Sequence, residues 1–297
     1  QFIKVAAVSH RFAQLSDIVE VILHTGQHYD SSMSDIFFNE LGIPNPKYNL
    51  GIGGLSHGKM TGRQLEKIEE VLIEERPDYV LVYGDTNSTL AGALASVKLN
   101  IPLAHVEAGI RSFNRKMPEE HNRILTDHAA DLLFAPTPIA FSHLRNEGIP
   151  EERIHLVGDV MFDASLIFGP IADKRSNILF NLFPSPQEYI LATIHRAETT
   201  DDPNLLSRVL TALQESPIPV VLPIHPRTKK HAQKKDLEHP NLHVIDPIGY
   251  VDMVALEKSC SLIVTDSGGV QKEAYFHGKP CVTIRTETEW VELIDTG

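Results

Sequence analysis

Short runs rich in β-branched and aromatic residues alternate with amphipathic stretches from one end of this chain to the other, and that alternation admits few folds. Strands joined by helix-length crossovers lie parallel, so the pattern is that of βαβ units. The runs predict strands at Val19–His24, Tyr79–Tyr83, Leu103–Val106, Asp131–Ala135 and Ile154–Val157, then at Tyr189–Thr193, Pro219–Pro223, Leu242–Ile245, Ser261–Thr265 and Cys281–Ile284. Between them the periodicity predicts helices over Arg63–Glu75, Asn87–Lys98, Glu119–Ala130, Asn204–Gln214, Val251–Lys258 and Val270–His277. Two parallel sheets suit this set better than one, and 297 residues suit two domains of about 100–200 residues each. The boundary is expected near Asp159–Pro186, where Gly158, Gly169-Pro170 and Phe183-Pro184-Ser185-Pro186 interrupt the pattern, giving an N-terminal domain over 1–160 and a C-terminal one over 161–297.

Composition narrows the chemistry. With 27 Lys+Arg against 39 Asp+Glu the formal charge is −12, which argues against nucleic acid as a partner, because neutralising phosphates takes concentrated Lys and Arg. No apolar run approaches the roughly 18–20 residues that span a bilayer, and the start, QFIKVAAVSHRF, lacks a signal peptide's features, so no membrane partner and a soluble cytoplasmic protein are expected. Cys260 and Cys281 stand far apart without a CxxC and read as buried apolar thiols. Fifteen histidines invite a metal, but neither HExxH, HxH nor a Cys/His ligand spacing occurs, so none is expected.

Ligands of open α/β sheets bind beyond the carboxyl ends of the strands, so the loops there should carry the chemistry. The first such loop, Gly84-Asp85-Thr86-Asn87, offers Asp85 at a strand end, although helix capping alone would favour these residues. The next strand delivers Glu107 in His105-Val106-Glu107-Ala108-Gly109-Ile110-Arg111, where Glu107 and Arg111 could form only an ion pair. Acids at adjacent strand ends repel one another and raise one pKa, which poises a general acid near neutral pH. Pro118-Glu119-Glu120 opens a helix, and spacing does not choose between its two acids, which also suit a helix N-terminus for ordinary reasons.

In the second half, His195-Arg196 and His225-Pro226-Arg227 follow successive strands and form a candidate anion-binding rim. Thr265-Asp266-Ser267-Gly268-Gly269-Val270 joins a strand end to a helix through a tight turn with exposed backbone N–H groups, a setting that attracts phosphate. Glu273, one to two turns on, could hold a ribose hydroxyl. The turn is neither GxGxxG nor GxxxxGK[ST], so no dinucleotide fingerprint or P-loop is supported.

Taken together, Gly84-Asp85-Thr86, His105-Val106-Glu107-Ala108-Gly109, Pro118-Glu119-Glu120, His195-Arg196 and Thr265–Gln271 occur in an order that resembles the non-hydrolysing UDP-N-acetylglucosamine 2-epimerases nearly end to end. The resemblance implies a GT-B-like architecture of two Rossmann-like domains with a UDP-sugar in the cleft between them, no metal or NAD cofactor, and a homodimer. Carried over residue by residue, it places catalytic acids at Asp85, Glu107 and Glu119 and the catalytic histidine at His195. Ser267, Gly268 and Gly269 would hold the diphosphate, Glu273 the ribose, and Lys4 matches a basic residue of the active-site loop. Apart from the resemblance, Arg111 and His225 are expected as further substrate contacts. The rival readings are a hydrolysing epimerase, a GT-B glycosyltransferase and a catalytically silent UDP-sugar-binding protein.

Several positions depart from the family. Its Gly-x-Arg-Pro segment would precede Gln1, and its final helices would follow Gly297. Gln1-Phe2-Ile3-Lys4 and Glu289-Trp290-Val291-Glu292 resemble the branch acting on UDP-2,3-diacetamido-2,3-dideoxy-glucuronate. His195-Arg196-Ala197-Glu198 lacks a second Arg, and Gln27-His28 keeps part of the family's allosteric site where Tyr29-Asp30 does not.

Overall fold

The computed structural model describes residues 1–27, 38 and 40–285. Glu289–Glu292 and the His28–Asp30 part of the expected allosteric site lie outside the described residues. The chain divides into two compact units, Gln1–Ala164 and Ser165–Gly297.

The first unit carries strands β1 (Leu23–His24), β2 (Tyr48–Asn49), β3 (Val80–Tyr83), β4 (Leu103–Val106), β5 (Leu132–Ala135) and β6 (Ile154–Leu156), with its main helices at α1 (Phe2–Phe12), α2 (His57–Glu75), α3 (Asn87–Lys98), α4 (Pro118–Ala129) and α5 (Pro138–Asn146). Strands β3-β4-β5-β6 form a parallel sheet in chain order, and β1 pairs separately with β2. All four residues of β4 are buried, as befits a strand covered on both faces. Two expectations change here. The strand predicted over Val19–His24 shortens to Leu23–His24, because Val19 is exposed and Val21 half so, with nothing to bury them. Phe2–Phe12 is a helix, its inner face made by Ala6, Ala7 and Ser9.

Helix α6 (Val160–Arg175) follows, and the division between the units falls within it. The segment read as an interruption is therefore largely helical, with Pro170 inside the helix. Lys258 donates to the Gly169 carbonyl at 3.2 Å and pairs with Asp173 at 2.6 Å, tying down the backbone beside that proline.

The second unit carries β7 (Ile190–Thr193), β8 (Val220–Pro223), β9 (Leu242–Ile245), β10 (Leu262–Thr265) and β11 (Cys281–Thr283), with α7 (Pro203–Gln214), α8 (Tyr250–Ser259) and α9 (Gly268–Phe276) among its helices. All strands are parallel in the order β11-β10-β7-β8-β9. Period-two alternation sends Ile190, Ala192, Val220 and Leu222 to one face, against Leu206, Leu210 and Leu213 of α7. Tyr189, Leu191, Val221 and Ile263 point the other way, against Leu256 of α8 and Ala274 of α9. Cys260 lies in that second layer, where burial pushes its thiol up to about 12; Cys281 is only half-buried, short of the expectation. From β7 the chain builds β8 and β9 on one side, then β10 and β11 on the other. The carboxyl ends of β7 and β10 thus flank the sheet's topological switch point, where crevices form in such sheets.

Candidate active site

The register of the first sheet pairs Tyr83 with Val106, so Asp85 and Glu107 leave neighbouring strands at the same edge. The Gly84 N–H donates to the Val106 carbonyl at 3.0 Å and sets the turn. Glu107 has φ of +72°, a left-handed conformation rarely given to a residue with a side chain. Its carboxylate pairs with Lys4, both side chains being nearly buried. Lys4 reaches it from helix α1 rather than from a loop, a correction to the expected context.

Arg123 of α4 donates to Asp85 Oδ2 from Nε at 3.0 Å and Nη2 at 2.6 Å, while Asn122 Nδ2 donates to the Asp85 carbonyl at 2.9 Å. These bonds bring the helix that begins with Pro118-Glu119-Glu120 over the strand-end acids, so the first unit gathers Asp85, Glu107 and the Glu119 turn at one edge.

The structure also separates the two acids that spacing left open. Glu120 is 1% exposed and accepts from the Ser112 N–H and hydroxyl, the Phe113 N–H and Arg123 Nη1, all at 2.8–2.9 Å. Burial would raise its carboxyl, but these donors outweigh it and hold the group below the ordinary carboxylate value. Glu120 is consumed by the loop it ties down. Glu119 is half-buried and, among the described residues, has no hydrogen-bond or ion-pair partner.

Glu120, Arg123 and Asp127 are spaced by three and four residues and share one face of α4, so that face is ionic rather than apolar. Asp127, fully buried, accepts from Arg111 Nη1 at 2.7 Å and the Gly109 N–H at 3.1 Å on one oxygen, and faces His105 Nδ1 at 2.6 Å with the other. Burial pushes its carboxyl up; the facing His105 and Arg111 outweigh that and hold it low. Arg111 also grips Glu147 with Nε and Nη2, both at 2.8 Å, and the Ile110 carbonyl at 2.8 Å. With a side chain 1% exposed, Arg111 turns its donors inward to these partners. Its carboxylate partners are Asp127 and Glu147.

In the second unit, Thr265 carries the chain from β10 into Asp266, which is fully buried. Both its oxygens accept from the His195 N–H at 3.0 Å, and Oδ2 also takes the Arg196 N–H at 3.0 Å. The His195 ring stays beside it, Nδ1 to Oδ1 at 3.5 Å, and stacks obliquely on His225 with centroids 5.5 Å apart. Burial lowers the pKa of His195; Asp266 opposes the shift, and Arg196 and Arg285 add to it. His225 is lowered likewise by burial and by His195 and Arg227, and its Nδ1 accepts the Arg227 N–H at 3.1 Å, leaving Nε2 as its outward nitrogen.

Ser267 caps α9, accepting loosely from the Val270 N–H at 3.5 Å, and Gly268-Gly269 form the helix's first turn at the switch point. Glu273 is almost wholly buried beside Glu257 of α8, not standing at an open turn; burial and the neighbouring Glu273 push the Glu257 carboxyl well above its ordinary value. The structure thus brings His195, His225 and the Ser267–Gly269 turn to one sheet edge in the second unit, with Glu273 deeper in α9.

Arg123, Asp127 and Asp266 are organising residues that the sequence reading passed over. The first two were hidden in a helix judged only by its opening acids, though their spacing from Glu120 marks a common face. Asp266 stood inside a turn weighed solely for its glycines and backbone N–H groups. Among the described residues no group of three or more His, Cys, Asp and Glu side chains is arranged to hold a metal ion, and no helix is long and apolar enough to cross a membrane.

Comparison with known proteins agrees across sequence and structure. The family described as UDP-N-acetylglucosamine 2-epimerase matches residues 10–297. The UDP-2,3-diacetamido-2,3-dideoxy-D-glucuronate 2-epimerase of Pseudomonas aeruginosa is 53% identical, the match covering 100% of this chain and 84% of that protein. A UDP-N-acetylglucosamine 2-epimerase homolog of Methanococcus maripaludis is 54% identical with the same coverage. The crystal structure of the Methanocaldococcus jannaschii UDP-GlcNAc 2-epimerase in complex with UDP-GlcNAc and UDP superposes with a TM-score of 0.90 at 44% identity, over 99% of this chain and 84% of that one. Two parallel α/β units of GT-B-like fold, the ordered strand-end acids and these full-length similarities lead to one assignment: the chain belongs to the UDP-N-acetylglucosamine 2-epimerase family.

Proposed function

We propose that this protein inverts C2 of an N-acetylated hexosamine carried on UDP, interconverting UDP-GlcNAc and UDP-ManNAc or the corresponding diacetamido-glucuronate pair, as a non-hydrolysing epimerase. The observation that carries the reading is the gathering of Asp85, Glu107 and the Glu119 turn at one strand edge, fastened by Arg123. A C2 proton is weakly acidic, so its removal is coupled to departure of the leaving group. A carboxylate takes the proton, the C–H electron pair becomes the C1=C2 bond, and the C1–O bond breaks to release UDP and leave a glycal. UDP oxygen then adds back to C1 as a proton reaches C2 from the opposite face. Two faces need two proton-handling groups, which accounts for several acids in one place. Asp85, Glu107 and Glu119 take that work.

His195, His225 and the Ser267–Gly269 helix terminus stabilise the diphosphate as it leaves, and Glu273 anchors the ribose side. A His195 ring kept neutral by burial donates a hydrogen bond without competing for the proton in transit. Lys4 steadies the Glu107 carboxylate.

The test is NMR of the protein with UDP-GlcNAc and, separately, the diacetamido-glucuronate nucleotide in deuterated water. Deuterium at C2 with recovery of intact sugar nucleotide supports the reading and names the sugar. Net release of UDP with free sugar would replace it by a hydrolysing epimerase. Absence of C2 exchange, with transfer only when an acceptor is added, would replace it by a glycosyltransferase.

A further inference from the structure

We propose that His105 and Asp127 form a buried positioning couple, which fixes the loops of Asp85 and Glu107 against the helix that presents Glu119. The inference rests on the proton-handling roles just proposed for those acids, and it concerns two residues that touch no substrate.

The geometry is a chain of short contacts through one side chain. His105 lies in the middle of the fully buried strand β4, completely enclosed. On one side Nε2 donates to the carbonyl of Gly84 at 2.8 Å, the residue directly before Asp85. On the other, Nδ1 meets Asp127 Oδ1 at 2.6 Å. Asp127 spends its second oxygen on the Gly109 N–H at 3.1 Å, two residues after Glu107, and on Arg111. One carboxylate of α4 therefore reaches the Asp85 turn through an imidazole and the Glu107 turn directly.

An apolar side chain would fill the space of His105 in a strand of Leu, Ala and Val at far lower desolvation cost. A fully enclosed imidazole and carboxylate are stable there only because every facing group is a partner, and what those partners share is attachment to the acid-bearing loops. Gly109 adds to the rigidity. Its φ is +83°, and a Cβ on it would stand 2.3 Å from the Ala140 carbonyl oxygen, so this loop has one available path.

Two substitutions separate the halves of the couple. His105→Asn places an amide N–H near the position of Nδ1, keeping a donor toward Asp127 and losing the Gly84 carbonyl. His105→Gln reaches the position of Nε2, keeping the Gly84 bond and losing Asp127. Asp127→Asn weakens both. Each variant is assayed for kcat and KM by C2 exchange and for UDP binding by calorimetry, which counts binding-competent molecules through the second unit's diphosphate groups. Misplacing reacting groups by about 1 Å costs about 100-fold, so we expect His105→Asn and Asp127→Asn to lose about 10- to 100-fold in kcat per UDP-competent molecule. KM should stay within about threefold, and His105→Gln, which cuts the same chain at its Asp127 end, should fall in the same range.

Equal kcat per competent molecule in either His105 variant and the unaltered protein, with only a lowered Tm, would reduce the couple to a fold-stabilising element and overturn the inference. Should Asp127→Asn fail to fold, the two His105 variants decide alone. Failure of the unaltered protein to exchange C2 with either nucleotide would instead bring down the functional reading beneath it.

Discussion

Replacing Arg111 by methionine separates a structural cation from a substrate contact. Methionine matches the aliphatic stem but not the guanidinium head, so the change chiefly removes charge and four hydrogen bonds: one to Asp127 at 2.7 Å, one to the Ile110 carbonyl at 2.8 Å and two to Glu147 at 2.8 Å. Removing one partner of a buried ion pair costs about 3–5 kcal/mol, because the other charge stays behind. Here the two carboxylates differ. Glu147 is 27% exposed and can turn to water, so its share is about 1 kcal/mol or less. Asp127 cannot turn out, but it retains His105 and the Gly109 N–H, which puts the whole effect at the lower end, about 3 kcal/mol. Glu147→Gln alone should then cost no more than about 1 kcal/mol.

The assay is urea unfolding by far-UV circular dichroism, with hydrogen exchange over residues 103–127 assigning the loss to the first unit, since a chain of two units need not unfold in one step. KM for the sugar nucleotide should barely move. Stability within about 1 kcal/mol of the parent together with a tenfold higher KM would refute the argument and restore Arg111 as a ligand of the substrate.

Further outcomes follow from the same contacts. Glu119→Gln should lose about 100- to 10,000-fold in C2 exchange at nearly unchanged Tm, whereas Glu120→Gln should show its main effect as lost stability in thermal unfolding, because its carboxylate ties down Ser112 and Phe113. Gly109→Ala should destabilise by about 1–3 kcal/mol from overpacking against a backbone carbonyl, on top of about 1–2 kcal/mol for the left-handed conformation, as denaturant titration would measure. Glu120, Asp127 and Glu147 are all held below their ordinary values by facing donors that outweigh burial. Their contribution is therefore present above the unfolded carboxylate pKa of about 4 and is lost as pH falls through the lower folded values. Acid titration of unfolding should show this decline, and Asp127→Asn should flatten it.

The strands and most of the long helices were legible because burial writes itself into local periodicity: Ile190, Leu191 and Ala192 alternate between two apolar layers, and Leu206, Leu210 and Leu213 line one stripe of α7. What stayed hidden depended on partners distant in sequence. Nothing near Arg111 announces that Glu147 will close on it, and Glu119 and Glu120 are interchangeable until Ser112 folds back onto one of them. Asp266 looked like turn chemistry because its task, holding the backbone of His195, becomes visible only when β7 and β10 lie side by side. Gly169-Pro170 misled for the opposite reason, since tertiary contacts such as Lys258 on Gly169 sustain a helix that local propensity would end, whereas Gly158 does break the chain ahead of it.

The unusual backbone at Glu107 sets protein longevity against turnover. A side chain at φ of +72° stores about 1–3 kcal/mol of strain, which a glycine would relieve while deleting the carboxylate. Selection for heat resistance alone would drift toward the smaller residue at this spot, and selection for catalysis would keep restoring the acid.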